Sequence, residues 1–360
     1  MKKPLRDFRD ILTFSLFHSF PLFRLMMQEI RISRFELTSA HVFLAVFVAA
    51  CAVAAVVIGS FPLAASIATI FLFAGIHNLM EFRYFAARMP LRWGRSRLFY
   101  SVGIGGVIVL AAAYLTLYFA SGNWLWSLDS WATLTAAWNT AFVLWLGLLF
   151  YLRGKQRPKS DWAWAFPVAF LLAALAWIVP QYWSLSLVYI HPFVAMWFLE
   201  RQIRRTKPEW LRAYHYCLAS IPVFVVALWL SLSGRPNLSE ETSLFWRITQ
   251  HAGSEILPGI SSHFLVATHV FLESIHYFVW ILLIPLIDFR AIPWKLDKIP
   301  LFARKGGIPK LVVAVLAASI FLVAALWTGF AVDYTTTRDV YFALAIAHVL
   351  AEFPFLIKML

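Results

Sequence analysis

Charged residues are scarce in this chain, and their scarcity excludes a soluble globular domain. Asp, Glu, Lys and Arg make up 14% of the 360 residues, whereas about a quarter is usual for soluble domains. Hydrophobic residues reach 61%, and after residue 40 they form runs of about 18 or more, each long enough to cross a hydrocarbon core as a helix. We therefore predict an all-α integral membrane protein with about ten transmembrane helices. The predicted spans are residues 40–60, 62–86, 99–120, 131–152, 162–181, 183–200, 215–233, 262–287, 309–332 and 338–357.

Cysteine is nearly absent, and this excludes two kinds of structure. Cys51 lies inside a predicted span and Cys217 at the end of another, so the chain has no disulfide framework. A zinc site built from several thiolates is excluded for the same reason. Any metal site in this protein must therefore use nitrogen and oxygen ligands.

Basic residues lie almost entirely on one side of the predicted membrane domain. The net charge is +13, yet only Arg235, Arg247 and Arg338 of the 31 Lys and Arg residues fall on the side opposite to the N-terminus. This asymmetry follows the positive-inside rule, so we expect a multi-pass protein of the cell membrane with both termini cytoplasmic. Attraction to the lipid bilayer explains the charge, and we expect no nucleic acid partner.

The N-terminal segment differs from the rest of the chain. Residues 1–39 are basic, and the stretch "ILTFSLFHSFPLFRLMMQ" at residues 11–28 has an amphipathic pattern. We predict a cytoplasmic segment that contains an interfacial helix over residues 11–28. Residues 40–360 are predicted to form one polytopic helical domain in the membrane.

Three glutamates lie deep inside the predicted spans, and each follows a histidine by four positions. The stretch "GIHNLMEFRYFAAR" contains the first such pair. A spacing of four puts both side chains on one face of a helix, one turn apart. In the eighth span His276 also follows Glu273 by three positions, a spacing that helical di-metal carboxylate sites use. The pairs are His77 with Glu81, His269 with Glu273, and His348 with Glu352.

Four histidines on separate spans are predicted to lie at one depth in the membrane. His77 precedes the basic boundary residue Arg88 by 11 positions, which is about 16 Å along a helix axis. The other three lie 10 or 12 positions before comparable boundary residues, and all four spans run in the same direction. Their side chains can therefore share one site near mid-membrane. The four are His77, His191, His276 and His348.

A metal ion is the expected partner of these groups, because an uncompensated charge at this depth is costly and the spans contain almost no Lys or Arg. Neutral imidazole together with carboxylate suits Fe(II), with Zn or Mn as alternatives. We predict His77, His191, His276 and His348 as the metal ligands. Additional ligands, or groups that hold the far ring nitrogen of a ligating histidine, are predicted to be Glu81, Glu273, Glu352 and His269.

Three segments of the chain resemble the Brp/Blh family of membrane-embedded carotene dioxygenases. The segments are "IHNLMEFRYF", "YIHPFVAMW" and "SIHYFVWILLIPLIDF". The resemblance implies a multi-span helical protein with iron held by four membrane histidines, and cleavage of β-carotene to retinal. By this resemblance the iron ligands are His77, His191, His276 and His348.

The same residues are compatible with three classes of function. The leading hypothesis is a non-haem iron oxygenase that acts on a carotenoid, another isoprenoid or another lipid. Intramembrane His and Glu residues also relay protons or pass cations in transporters and channels, although the chain has no obvious inverted repeat. A b-type haem protein requires only two facing histidines and leaves the glutamates unexplained. The pattern of His and Glu residues identifies neither the substrate molecule nor the oligomeric state.

Overall fold

Helices make up nearly all of the part of the chain that the structure describes. The computed structural model describes residues 30–32, 35–37, 39–90, 92–120, 128–157, 162–288, 296–303 and 307–360. The interfacial helix predicted over residues 11–28 lies outside them. The longer helices are α1 (Ser39–Ser60), α2 (Pro62–Arg88), α3 (Arg97–Ala120), α4 (Leu128–Lys155), α5 (Ala165–Ile178), α6 (Pro180–Thr206), α7 (Leu211–Leu232), α8 (Ser243–His251), α9 (Ser262–Ile287), α10 (Pro309–Val332) and α11 (Tyr334–Met359).

Short elements connect or precede these helices. The strands β1 (Ile30–Ile32) and β2 (Phe35–Leu37) pair antiparallel, with Ile30 opposite Leu37. A four-residue helix and three single 3₁₀ turns lie in the connections between the longer helices. They are Pro300–Ala303, Gly94–Ser96, Pro208–Trp210 and Leu296–Lys298.

Nine helices within the described ranges are long and apolar enough to cross a membrane, as expected for an all-α membrane protein. The predicted count of about ten differs at one place. The span predicted at residues 162–181 is α5, a helix of 14 residues, and its length of about 21 Å is less than a hydrocarbon core of about 30 Å. The helix ends early because Val179 leaves the helical conformation and Pro180 begins α6.

The helices that carry the four predicted ligands run parallel. Arg88 at the end of α2 donates to Gln202 of α6 at 2.6 Å and to Asp288, directly after α9, at 3.2 Å. Phe85 of α2 stacks on Phe355 of α11, with 4.3 Å between ring centroids. Four helices therefore end at the same end of the bundle, which we call the basic end. The opposite end, where α8 lies, is called the α8 end.

The helix α9 is the most deeply buried of the long helices and contains a local irregularity. Its segment Val279–Leu283 is π-helical and begins three residues after His276. Pro285 follows, and a proline cannot donate the backbone hydrogen bond that a regular α-helix needs at that position. Single π-helical turns occur often at functional sites, and here the turn lies directly beside a predicted metal ligand.

Close packing of α3 against α4 supports the side of the bundle next to α11. The indole nitrogens of Trp138 and Trp145 on α4 each donate to a backbone carbonyl of α3, at Leu110 and Val102, both at 2.9 Å. Gly106 of α3 lies under the Trp145 ring, and any larger side chain there would overlap the indole. The glycine therefore permits the close approach of the two helices.

Candidate metal centre

The imidazole rings of the four predicted ligands lie together in the middle of the bundle. The ring centroids of His77 and His276 are 5.3 Å apart, and those of His77 and His348 are 5.2 Å apart. His191 lies 4.6 Å from His276 and 5.4 Å from His348 by the same measure. Counting residues to the basic boundaries thus predicted four histidines at one level, and the structure brings them into contact.

Two glutamates complete two overlapping groups of possible ligand atoms. One atom from each of His77, Glu81, His276 and His348 lies within 4.8 Å of the others, and the same holds for His191, His276 and Glu352. Two ligands on opposite sides of a metal, each at about 2.1 Å, are separated by about 4.2 Å. The observed spacing is therefore close to that of a coordination sphere. Because His276 belongs to both groups, it lies at the centre of the cluster.

Many nitrogen and oxygen atoms of this cluster are buried without a hydrogen-bond partner among the described residues. They include both ring nitrogens of His276, both ring nitrogens of His348 and both carboxylate oxygens of Glu81. A buried polar atom left unsatisfied costs about 1–3 kcal/mol. Six such atoms at one point could be satisfied together by one bound cation.

The orientation of His77 fixes which ring nitrogen faces the cluster. Its Nδ1 lies 3.2 Å from the backbone carbonyl oxygen of Phe73. A nitrogen next to a carbonyl oxygen carries the proton, so Nε2 is left as the unprotonated nitrogen that can bind a metal. The Tyr277 ring packs against the same imidazole with 4.4 Å between centroids.

The two carboxylates of the cluster form no ion pair with Lys or Arg among the described residues. Glu352 Oε2 lies 3.1 Å from His191 Nδ1, so this carboxylate either shares a metal with His191 or orients its ring. Glu81 forms no ion pair within the described ranges, and it is close enough to Glu352 for two negative charges to repel. Both glutamates are almost completely buried. A cation between them would balance the two charges.

Glu273 and His269 lie outside both groups, although the sequence predicts them as additional ligands or supporting residues. Glu273 Oε1 accepts a hydrogen bond from the Tyr277 hydroxyl at 2.6 Å. The His269 ring lies 5.0 Å from that of His251 and 5.9 Å from that of Tyr189. Both residues are nearer the α8 end than His276, because they precede it on α9.

Aromatic side chains separate the cluster from the basic end. We call Phe85, Phe198, Trp280 and Phe355 the aromatic floor, since they lie one to two turns beyond the histidines on α2, α6, α9 and α11. Their rings are in contact, with centroids 5.3 Å apart for Phe198 and Trp280 and 5.9 Å apart for Phe85 and Trp280. The floor closes the cluster on this side.

A cavity of about 540 Å³ opens on the cluster from the other side. All four histidines line it, and its walls continue along α11 to residues of α8 at the α8 end. The largely apolar wall includes Tyr114, Trp138, Phe142, Leu187, Ile346 and Phe353. A volume of this size suits one small molecule.

The polar residues at the α8 end of the cavity were not predicted as site residues. Arg247 of α8 and Asp339 of α11 form an ion pair there, and Arg338 lines the cavity beside them. In the sequence, Arg247 and Arg338 are distinguished only by being two of the few basic residues on the predicted less basic side of the membrane. The spacing of Arg338, Phe342, Ala345 and His348 at intervals of three or four positions is the signal that places them on one helix face.

Comparisons of the chain with models of protein families, with curated proteins and with solved structures found no match.

Proposed function

We propose that this chain is a membrane-embedded non-haem iron oxygenase that acts on a lipophilic substrate. One observation carries the proposal: buried nitrogen and oxygen atoms of four histidines and two glutamates converge at the closed end of a largely apolar cavity. The residues are His77, His191, His276 and His348 with Glu81 and Glu352. Structural ion pairing does not account for them, since the carboxylates face imidazoles and not Lys or Arg.

The donor atoms fit Fe(II), and they also fit Zn or Mn. Imidazole nitrogen and carboxylate oxygen are ligands that all three metals accept, whereas sulfur ligands are absent from both groups. Iron bound there would supply the one-electron chemistry that reactions of dioxygen require. Zinc would support only Lewis-acid chemistry. We favour iron because an apolar cavity next to the cluster suits an oxidation of hydrocarbon.

The chain's own residues would bind the ion, orient it and keep water away. The contact of His77 with the Phe73 carbonyl presents Nε2 to the ion, and Glu81 and Glu352 balance its charge. The aromatic floor limits access of water from the basic end, which protects reactive species from side reactions. Apolar side chains such as Trp138 and Phe142 line the space for the substrate.

The resemblance to the Brp/Blh family supports a carotenoid as one candidate substrate, with another isoprenoid or lipid as the wider class. A molecule of this kind is dissolved in the bilayer and would enter from the side of the helical bundle. We also propose the cell membrane as the location, with the basic end and both termini on the cytoplasmic side, because all but three of the Lys and Arg residues are predicted on that side.

The metal content of detergent-purified protein tests the proposal. Inductively coupled plasma mass spectrometry should find about one or two irons per chain in the wild type and in His263→Ala, and none in His276→Ala, because His276 belongs to both ligand groups. His263 is a suitable control since it lies on the same helix and outside both groups. Consumption of dioxygen with β-carotene and other lipophilic substrates would follow.

Two other results would favour a different function for this protein. A folded protein without metal in any preparation would favour a proton or cation path, and a proteoliposome flux that Glu81→Gln abolishes would then identify a transporter. A Soret absorption band would identify a haem protein. Activity that survives complete removal of metal would overturn the oxygenase proposal.

A further inference from the structure

The cavity has a charged end and a metal-binding end, and α11 connects them. Arg338, Phe342, Ala345 and His348 all line the cavity and follow one another along one face of this helix. His348 follows Arg338 by ten positions, which corresponds to about 15 Å along the helix axis. A molecule that touches both ends must therefore be elongated.

Arg338 is a buried cation with one donor that no described residue accepts. Its exposed fraction is 4%, and its Nε has no hydrogen-bond partner in the part of the chain that the structure describes. The oxygen of Asp339 nearest to it is 3.9 Å from Nη1, which is too long for a hydrogen bond. The other oxygen of Asp339 is bound by Arg247. The Arg338 Cζ lies 4.6 Å from the centroid of the Phe342 ring, a cation–π contact that supplies no hydrogen-bond acceptor for Nε.

Glu273, the acidic residue across the cavity, does not accept the unpaired Nε–H of Arg338. Glu273 is near enough to attract Arg338, and the Tyr277 hydroxyl donates to one of its oxygens. No ion pair joins Glu273 to Arg338 in the described part of the chain. A guanidinium that is buried, short of acceptors and exposed to a cavity is a typical binding group for a carboxylate, because its planar fork can donate two parallel hydrogen bonds.

We infer that the cavity binds a long-chain carboxylate, with the carboxylate at Arg338 and the hydrocarbon chain directed toward the four histidines. The apolar wall between the two ends, which includes Trp138, Phe142 and Leu187, matches such a chain. The volume of about 540 Å³ suits a single chain better than a lipid with two. The inference rests on the proposed function in treating this cavity as the substrate site.

The distance between the two ends of the cavity predicts which part of the substrate is oxidised. A substrate held at Arg338 by its carboxylate would present a carbon far along the chain to the metal-binding end. Oxidation would then occur within or near the far end of the hydrocarbon and not beside the carboxylate.

Equilibrium binding of two matched ligands tests the inference. Tritiated palmitate and tritiated hexadecanol, which differ in the head group, would be titrated into detergent-purified protein in a scintillation proximity assay. We expect palmitate to bind about tenfold or more tightly than hexadecanol, since a hydrogen bond between a guanidinium and a carboxylate is stronger than one between a guanidinium and a hydroxyl group. Arg338→Gln should lower palmitate affinity to that of hexadecanol and leave hexadecanol binding unchanged, which also shows that the variant is folded.

Two further variants define the role of the side chain. Arg338→Lys should retain only part of the preference for palmitate. The substitution keeps the positive charge but loses the planar guanidinium, which can donate two parallel hydrogen bonds. Arg235→Gln, at an exposed arginine on the predicted less basic side, should behave as wild type. The inference is overturned if palmitate shows no saturable binding, if the two ligands bind equally, or if Arg338→Gln weakens both to the same extent.

Running the titrations with chelator-treated and metal-loaded protein separates this inference from the proposed function. Palmitate preference in a protein that binds no iron even after metal loading would refute the oxygenase and support the carboxylate site. Bound iron with no preference for palmitate would do the opposite.

Discussion

The Tyr277 ring packs against the His77 imidazole, with 4.4 Å between the two ring centroids. The Phe73 carbonyl lies 3.2 Å from the Nδ1 of the same imidazole. His77 is therefore held at one nitrogen and on one face, which leaves Nε2 directed toward the other histidines. The Tyr277 hydroxyl is engaged elsewhere, since it donates to Glu273.

This arrangement separates the role of the ring from that of the hydroxyl. Tyr277→Phe keeps the ring and removes only the hydroxyl, which bonds to Glu273 and Tyr341 and not to His77, so we expect unchanged metal affinity. Tyr277→Ala removes the surface that supports His77, and we expect metal affinity to fall about tenfold or more, as is typical when a group that orients a ligand is lost. Metal content after dialysis against graded chelator concentrations measures both. Equal losses in the two variants would show that the hydroxyl is what matters.

Glu81 is expected to hold the metal through its charge. Glu81→Gln preserves the shape of the side chain but not the negative charge, so metal affinity should fall at least about tenfold. Glu200→Gln is the matched control, because Glu200 lies on α6 near the basic end and pairs with Arg204. Isothermal titration of the apoprotein with Fe(II) under anaerobic conditions gives the affinities. Wild-type affinity in Glu81→Gln would contradict a ligand role for this carboxylate.

The level of the four histidines could be predicted from the sequence, because the rise per residue of a helix is nearly constant. Counting from His77 to Arg88 or from His348 to Lys358 gives a depth without any knowledge of packing. Parallel helices then bring equal depths together. The contact between the rings of His77 and His348 is therefore a consequence of regular geometry that the sequence already contains.

The rotation of each helix about its axis could not be predicted in the same way. Glu273 lies on the same helix as His276, and packing of α9 directs it to Tyr277 instead of the cluster. The early end of α5 depends on the backbone at Val179, which the apolar pattern does not reveal. The proximity of Arg247 to Asp339 depends on how α8 packs against the start of α11. Arg247 and Asp339 are 92 positions apart, so only tertiary packing brings them together.

Two adjacent glycines on α3 should respond in opposite ways to the same substitution. A Cβ at Gly106 would overlap the Trp145 indole, whose nitrogen donates to the Val102 carbonyl, while a Cβ at Gly105 would meet no atom within 4 Å. Gly106→Ala should lower the free energy of unfolding by about 1–3 kcal/mol through overpacking. Gly105→Ala should raise it by up to about 1 kcal/mol, because alanine favours the helix. Unfolding in mixed micelles with increasing dodecyl sulfate measures both, and destabilisation by Gly105→Ala would refute the packing argument.

His251 should make the stability of the protein sensitive to mild acid. Burial, together with the charges of His269 and Arg338, lowers the pKa of His251 well below its ordinary value. Below about pH 6.5 the unfolded chain takes up a proton at this residue while the folded chain does not, so stability falls as the pH decreases toward the folded pKa. Thermal unfolding followed by tryptophan fluorescence should show a larger decrease between about pH 7.5 and 5.5 for the wild type than for His251→Gln. Between about pH 7.5 and 8.5 the difference between the two proteins should stay constant, because His251 is neutral in both states there. Parallel curves at all pH values would mean that His251 does not contribute to the acid sensitivity.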